Sequence, residues 1–190
     1  FDWHPGTRTE ASTQSSTAVV EYNVEFFGKA AHAAGDPWNG RSALDGLELF
    51  TDGINMLREH IKPSSRMHYV ILKGGDVPNV VPEYAKVWIW IRDSKREEMD
   101  KIVERMKDIA KGGALMAGVE TKVSLLSGTY EVLVNRTGAE YMHKNLEFLG
   151  PIQFTESEHD FAKAIQKATG VDQEGLIGEI GSLRETSENT

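Results

Sequence analysis

The chain contains 190 residues, enough for one packed domain or for one domain and part of a second. Its net charge is −8 and no run of Lys and Arg forms a basic patch. This argues against nucleic-acid binding, because phosphate contacts need clustered cations. No stretch reaches the roughly 20 apolar residues that cross a bilayer, and without cysteine there are no disulfides or thiolate metal sites. We expect a cytoplasmic protein whose partners are neither nucleic acids nor membranes.

The spacing of apolar residues predicts a regular order of elements. Alternating apolar residues indicate four strands, and apolar residues at three- and four-residue steps indicate two helices. The strands are centred on residues 20–26, 67–72, 85–92 and 119–125, and the helices on residues 44–57 and 96–110. The order β-α-β-β-α-β predicts an α+β, ferredoxin-like fold, in which two helices cover one face of a four-stranded antiparallel sheet.

Capping-box patterns mark two predicted helix starts. Ser94 and Glu97 have the spacing at which each side chain can bond the backbone N–H of the other residue, and Thr137 and Glu140 repeat it. The first pair predicts the start of the second helix, and the second pair predicts the start of a third. A fourth, short helix is predicted to end at Gly170.

The third predicted strand has two contrasting faces. Aliphatic residues from Ala85 to Ile91 alternate toward one side, whereas Trp88 and Trp90 point to the other side together with the cationic Arg92. Two indoles beside a cation are unusual on a face that meets only solvent. This face is therefore predicted to meet a partner or to line a cleft.

Four polar residues are candidate site residues. His32 lies in a loop of small residues that lets a ligand approach its imidazole. Asn79 precedes the third strand, Arg92 lies at its end, and His4 lies between an indole and a proline. Taken singly, each has an ordinary alternative: a surface histidine, a turn cap, a surface ion pair, and a histidine without partner ligands.

Several motifs, taken together and in order, resemble the aminoacylase and glutamate-carboxypeptidase family of two-metal amidohydrolases. The similarity is greatest to members that act on aminobenzoyl-glutamate-like amides. The motifs are Trp3-His4-Pro5, residues 26–34, Gly40-Arg41-Ser42-Ala43-Leu44-Asp45, Gly74-Gly75, Pro78-Asn79-Val80-Val81-Pro82, Arg92, Asn135-Arg136-Thr137 and Phe161-Ala162-Lys163.

The resemblance implies a role for each candidate residue. His4 matches a metal-ligand position in a catalytic domain that binds two divalent ions, zinc or manganese, and activates a water between them. His32 matches a histidine that reaches into the partner's active site and stabilises the oxyanion. Asn79 matches a second polar contact from the same lid, and Arg92 matches the cation that holds the substrate's carboxylate. These roles imply a homodimer that cleaves an N-acyl amino acid or a dipeptide.

The resemblance also predicts how the chain is divided. Residues 1–16 are expected to end a catalytic domain and form a linker, residues 17–130 to form a lid and dimerisation domain, and residues 131–190 to return to the catalytic domain and end in a flexible polar tail. The remaining metal ligands and the general base have no counterpart in this sequence, so the isolated chain is expected to be inactive. Two alternatives stay open: a free-standing ferredoxin-like binding or regulatory module, and an aminoacylase or dipeptidase of the same family.

Overall fold

The computed structural model describes residues 3–185; residues 186–190, part of the predicted polar tail, lie outside the described residues. It contains four strands and four longer helices in the predicted order. The strands are β1 (Ala18–Phe27), β2 (Arg66–Lys73), β3 (Tyr84–Asp93) and β4 (Glu120–Thr129), and the helices are α1 (Ala43–Leu57), α2 (Arg96–Ala117), α3 (Arg136–Leu149) and α4 (Glu156–Thr169).

The four strands form one antiparallel sheet in the order β2-β3-β1-β4, which confirms the predicted ferredoxin-like fold. The central strands β1 and β3 pair along their whole length, from Ala18 opposite Asp93 to Phe27 opposite Tyr84. β2 and β4 are the edges, and each pairing contains one bulge. Phe27 and Tyr84 therefore mark one end of the sheet, and Ala18 and Asp93 mark the other.

One face of the sheet and both helices enclose the core. Residues of β1 and β3 alternate between buried and half-buried along the strands, because successive side chains point to opposite faces. The buried set packs against α1 and α2 in a single cluster. Phe26 of β1 and Phe50 of α1 are fully buried at its centre, with ring centroids 6.0 Å apart. The opposite, open face carries the indoles and the arginine predicted from sequence.

A glycine lets the two core helices approach closely. A Cβ at Gly113 of α2 would lie 2.9 Å from the carbonyl oxygen of Gly46 in α1, which is closer than real Cβ atoms come. A side chain there would push the helices apart, so this crossing requires glycine.

Both predicted capping boxes are wrong in their details. The N-cap of α2 is Lys95, which makes no side-chain cap hydrogen bond, because the hydroxyl of Ser94 donates to Asp93 instead. α3 begins at Arg136, with Asn135 as N-cap accepting from the backbone N–H of Gly138. A complete capping box is present at α4, where Thr155 pairs reciprocally with Glu158.

The chain divides into two compact units, one formed by residues 16–132 and the other by residues 3–15 with residues 133–185. The first is the sheet unit. The second contains α3 and α4, and a short parallel pairing of Thr9 with Ile180 and of Ser12 with Arg184. Nothing in the sequence pattern indicated this pairing. Among residues 3–185, no helix combines the length and apolar character needed to cross a bilayer.

Candidate functional site

The loop after β1 is held against the start of α1 by backbone contacts. Lys29 and Arg41 exchange N–H···O hydrogen bonds of 2.8 and 2.9 Å. A Cβ at Gly28 would collide with the carbonyl oxygen of Arg41, so only glycine permits this approach. The loop that carries His32 is therefore pinned at its base.

The same loop pairs with the connection between β2 and β3, and this pairing brings His32 and Asn79 together. His32 forms an antiparallel bridge with Val80. The N–H of Ala33 donates to the carbonyl oxygen of Asn79 at 3.0 Å, and the N–H of Val81 donates to that of Ala31 at 2.9 Å. Two candidate residues 47 positions apart thus share one short ladder at one end of the sheet.

The imidazole of His32 is oriented by its own turn. The backbone N–H groups of Ala34 and Gly35 both point at Nδ1, at 3.2 and 3.0 Å. Because a backbone N–H can only donate, Nδ1 is the acceptor, and the neutral ring carries its proton on Nε2. His32 therefore presents an N–H donor at its outer edge.

The Asn79 side chain is exposed and makes no hydrogen bond with any residue from 3 to 185. Beside it lies a shallow pocket of about 360 Å³, lined by Leu44, Gly75, Val77 and Pro82 among others. The His32 N–H, the free amide of Asn79 and this mostly apolar depression occupy the same end of the sheet unit.

Arg92 lies at the other end of the sheet. It pairs with Val19, whereas the His32 loop leaves β1 after Phe27, which pairs with Tyr84. The eight steps from Tyr84 to Arg92 correspond to about 26 Å at roughly 3.3 Å per residue. One copy of the sheet unit cannot place Arg92 and His32 on the same small ligand.

Arg92 is half-buried, and its guanidinium lies 5.0 Å from the centroid of the Trp90 ring, a cation–π distance. Within residues 3–185 it has no carboxylate partner. The predicted alternative of a surface ion pair with Asp93 or Glu97 is therefore not formed: Asp93 is buried and bonded to serine hydroxyls.

A hydrogen-bonded pair near the His32 end of the open face has no counterpart in the sequence prediction. The Tyr84 hydroxyl donates to Glu25 at 2.7 Å across the two central strands. Burial, the hydrogen bond to Glu25 and the charge of Glu25 together raise the pKa of Tyr84 to about 12. This phenol stays protonated at physiological pH.

His4 belongs to the other unit and is exposed; its Nδ1 lies 2.9 Å from the carbonyl oxygen of Pro5. Among residues 3–185 no group of three or more His, Asp or Glu side chains could hold a metal ion. The described residues therefore do not fit a two-metal centre, and His4 is the one predicted ligand among them.

Comparison with known proteins identifies the sheet unit. Residues 16–115 match the family model described as the peptidase dimerisation domain. The chain belongs to this family. It is 35% identical over 182 residues to one of the subunits of p-aminobenzoyl-glutamate hydrolase from Escherichia coli (strain K12), covering 95% of this chain and 38% of that protein. It is 30% identical over 151 residues to Xaa-Arg dipeptidase of Mus musculus, covering 79% and 35%.

A solved structure shares the fold of this dimerisation-domain chain. The aminobenzoyl-glutamate utilization protein from Klebsiella pneumoniae superposes with a TM-score of 0.60 at 18% identity, covering 94% of this chain and 49% of that one. The chain spans well under half of the length of the two hydrolase relatives. Their names describe hydrolases, which favours the predicted amidohydrolase class over a free-standing binding module.

Sequence reasoning missed the backbone parts of the site in this dimerisation domain. The two N–H groups that orient His32 belong to Ala34 and Gly35, whose side chains carry no chemistry. The steric need for Gly28 depends on Arg41, thirteen positions away. The small residues from Ala30 to Gly35 were the only feature of this loop visible in the sequence. They indicated that a ligand could approach His32, but not how its imidazole ring is oriented.

Proposed function

We propose that this chain is the lid and dimerisation part of a metal-dependent amidohydrolase that cleaves the amide bond of an N-acyl amino acid, such as an aminobenzoyl-glutamate-like compound. In this proposal His32 and Asn79 of one protomer contact the reacting amide in the partner's site. Arg92 binds the substrate's carboxylate. The divalent ions, zinc or manganese, are bound mainly by residues outside the range 3–185, and the complete enzyme is a cytoplasmic homodimer.

The orientation of His32 is the observation that carries the proposal. An amide carbonyl becomes an oxyanion when it is attacked, and a positioned N–H donor stabilises that developing charge. Two backbone N–H groups hold Nδ1 as the acceptor, so the donor is at Nε2, on the outer edge of the ring. Asn79 adds a second free donor on the same ladder.

The separation of Arg92 from His32 supports action across a dimer. A two-fold axis perpendicular to the sheet, beside one edge strand, reverses the strand direction in the second copy. The His32 end of one protomer then lies on the same side as the Arg92 end of its partner. Two residues that one copy holds about 26 Å apart can thus serve one composite site.

The edge strand β2 has the surface that such a dimer needs. Val70, Ile71 and Leu72 are consecutive apolar residues and are 57%, 48% and 51% exposed. An edge strand also leaves a row of backbone N–H and C=O groups unpaired. Antiparallel pairing of β2 with its symmetry copy would satisfy these groups, cover the apolar side chains and create a continuous eight-stranded sheet.

The names of the two relatives suggest two different classes of substrate for the complete protein. The bacterial relative is named for aminobenzoyl-glutamate and the mouse relative for Xaa-Arg dipeptides. Both substrates carry an α-carboxylate that Arg92 can bind, so they differ in the side-chain group, which is a second carboxylate in glutamate and a guanidinium in arginine. Hydrolysis of N-aroyl-glutamate but not of Xaa-Arg by the complete protein would distinguish them.

The decisive experiment is complementation between two variants of the complete protein that contains this sequence. His32→Ala should retain folding, dimerisation and metal content while kcat falls by on the order of 10²–10³, the usual loss for one oxyanion donor. Mixing it with a variant that lacks metal ligands but keeps His32 should restore part of the activity, because heterodimers combine one intact metal site with one intact histidine.

Failure to recover activity after exchange of protomers has been demonstrated would show that His32 does not act in the partner's site. His60→Ala is the matched control, since His60 lies on the turn after α1 and outside the His32 ladder. It should leave kcat unchanged.

The dimer surface has its own test. Val70→Lys should convert the dimer to a monomer in sedimentation equilibrium, because it places two charges at the two-fold contact. Leu126→Lys, at a residue on the opposite edge that is 50% exposed, should not. The reverse pattern would place the dimer contact at β4.

A further inference from the structure

The open face of the sheet carries a strip of aromatic and cationic side chains that no motif explains. Its members are Trp88, Trp90 and Arg92 on β3, and Arg66 and His68 on β2, and we call it the indole–arginine strip. All five side chains are half-buried or exposed. The chain as a whole is acidic, with a net charge of −8, so a local concentration of cations is unusual.

The strand register places these side chains beside one another. Arg66 is directly opposite Arg92, and His68 is directly opposite Trp90. Residues opposite each other in an antiparallel pair share a face, with Cβ atoms about 4.5–5.5 Å apart. Met67, between the two β2 residues, is fully buried on the other face, as this alternation requires.

Two arginines directly opposite each other repel, and such a pair is destabilising unless an anion lies between them. Arg66 donates to the backbone carbonyl groups of Pro63 and Ser65, which orders it without neutralising it. Neither Arg66 nor Arg92 has a carboxylate partner among residues 3–185. A guanidinium has five N–H donors, so both groups keep donors for a ligand.

The two indoles extend the cationic pair into an apolar platform. The rings of Trp88 and Trp90 meet edge to face at 5.7 Å, and Arg92 lies over the ring of Trp90. The indole N–H of Trp88 is covered and has no acceptor within residues 3–185. The strip therefore offers two cations and a planar surface along one face of the β2–β3 pairing.

We propose that the indole–arginine strip is a binding subsite for small aromatic carboxylates, above all N-aroyl amino acids. Arg66 and Arg92 together hold a carboxylate, and the aromatic ring lies against Trp90 and Trp88. This inference rests on the proposed function and deepens it: it makes Arg66 a second carboxylate-binding residue and makes the indoles determinants of acyl-group specificity.

The size and charge of the strip select this class of ligand. Two adjacent guanidinium groups match one or two carboxylates in a bidentate arrangement. Only two indoles lie beside the guanidinium groups, and together they can contact one aromatic ring system of a ligand. A nucleic acid would need a longer run of cations along the sheet, but on this face the neighbouring strand β1 places the acidic Glu21 opposite Trp90 and Glu25 opposite Lys86.

Binding can be measured on this chain without any catalytic activity. Trp3→Phe and Trp38→Phe remove the two indoles that are 82% and 71% exposed, leaving Trp88 and Trp90 as the fluorescent reporters. N-benzoylglutamate should change their fluorescence saturably. N-acetylglutamate, which lacks the ring, should bind about fivefold more weakly, and benzamide, which lacks the carboxylates, should not saturate.

Variants then divide the strip into its parts. Arg66→Gln and Arg92→Gln should each weaken N-benzoylglutamate binding by about tenfold or more, because each removes a charged hydrogen-bond donor. Trp90→Leu should abolish the preference for N-benzoylglutamate over N-acetylglutamate while both still bind. Arg105→Gln is the matched control, since Arg105 is exposed on α2, which packs on the other face.

Each result supports or overturns the proposal. Equal affinities for the two acylglutamates, or no saturable change with N-benzoylglutamate, would overturn the aromatic subsite; unchanged binding by Arg66→Gln would overturn the paired-arginine part. Circular dichroism on each variant separates loss of binding from loss of fold, and Arg66→Lys, which keeps the charge, should recover part of the affinity. Saturable binding without hydrolysis by the complete protein would refute the proposed function alone. Hydrolysis whose KM depends on Arg92 but not on Arg66, Trp88 or Trp90 would refute this inference alone.

Discussion

The two units of the chain bury their apolar residues to very different extents. The sheet unit has a continuous core in which Phe26, Phe50 and Ile89 are fully buried. In the other unit, α3 has one buried residue among those described, Ala139, and α4 has none. Phe148 is 88% exposed and Phe161 is 69% exposed, although both helices have an apolar stripe.

A helix can therefore have an amphipathic sequence without having its apolar side buried in a core. A helix needs an apolar stripe to be packed, but the stripe stabilises it only when another surface covers it. The sheet covers the stripes of α1 and α2. The stripes of α3 and α4 remain accessible within residues 3–185, which include a depression of about 460 Å³ beside Phe161 and Ile165.

Opening the core of the sheet unit should have the greatest consequence for stability. Phe50→Ala should lower the free energy of unfolding by about 3–5 kcal/mol, because it removes a fully buried ring and leaves a cavity. Phe161→Ala makes the same chemical change on α4 and should alter that free energy by less than about 0.5 kcal/mol. Urea unfolding followed by far-UV circular dichroism measures both. Equal losses would show that α4 buries its stripe in solution.

A buried carboxylate should give the next greatest loss of stability and a pH dependence. Asp93 is fully buried at the end of β3. Burial opposes its ionisation, but hydrogen bonds from Ser65, Ser94, Ser64 and the backbone N–H of Lys95 outweigh burial and lower the pKa of Asp93 below its ordinary value of 3.8.

The lowered pKa of Asp93 determines how the stability of the fold changes with pH. The stability contributed by Asp93 is present above the unfolded pKa and is lost as the pH falls through the lowered folded pKa. Asp93→Asn should therefore cost roughly 2–3 kcal/mol at pH 7, and the difference from the parent should shrink as the pH falls below the unfolded pKa. Asp108→Asn, on the exposed side of α2, is the control and should show neither effect. A pH-independent difference would contradict the role of the charge.

The helix caps should give the mildest losses, and they test whether the two units unfold separately. Ser42 caps α1 by accepting from Asp45, and Thr155 caps α4 by accepting from Glu158. Each change to Ala should cost about 1 kcal/mol in its own helix. Hydrogen exchange should show that Ser42→Ala speeds global exchange of the sheet unit, whereas Thr155→Ala speeds exchange only in α4. Coupling of Thr155→Ala to the sheet unit would mean that the two units unfold together.

Local sequence patterns predicted the elements of the sheet unit more accurately than their starts. Alternation in β1 and β3 is strict, so the buried faces follow directly from the sequence. The start of α2 was misplaced because the hydroxyl of Ser94 has a competing hydrogen-bond partner. Ser94 donates to Asp93, a buried carboxylate whose position depends on the sheet. Competing hydrogen bonds of this kind are decided by packing.

Side-chain periodicity was enough to predict the class of fold and the face of each strand that is buried. The roles predicted for His32, Asn79 and Arg92 came instead from the resemblance of several motifs to the amidohydrolase family. Three relations in the site came only from the folded chain: His32 and Asn79 share one ladder, Arg92 lies at the far end of the sheet, and Arg66 lies opposite it. These relations depend on strand register and on backbone hydrogen bonds between residues far apart in the chain, for which side-chain identity carries no local signal.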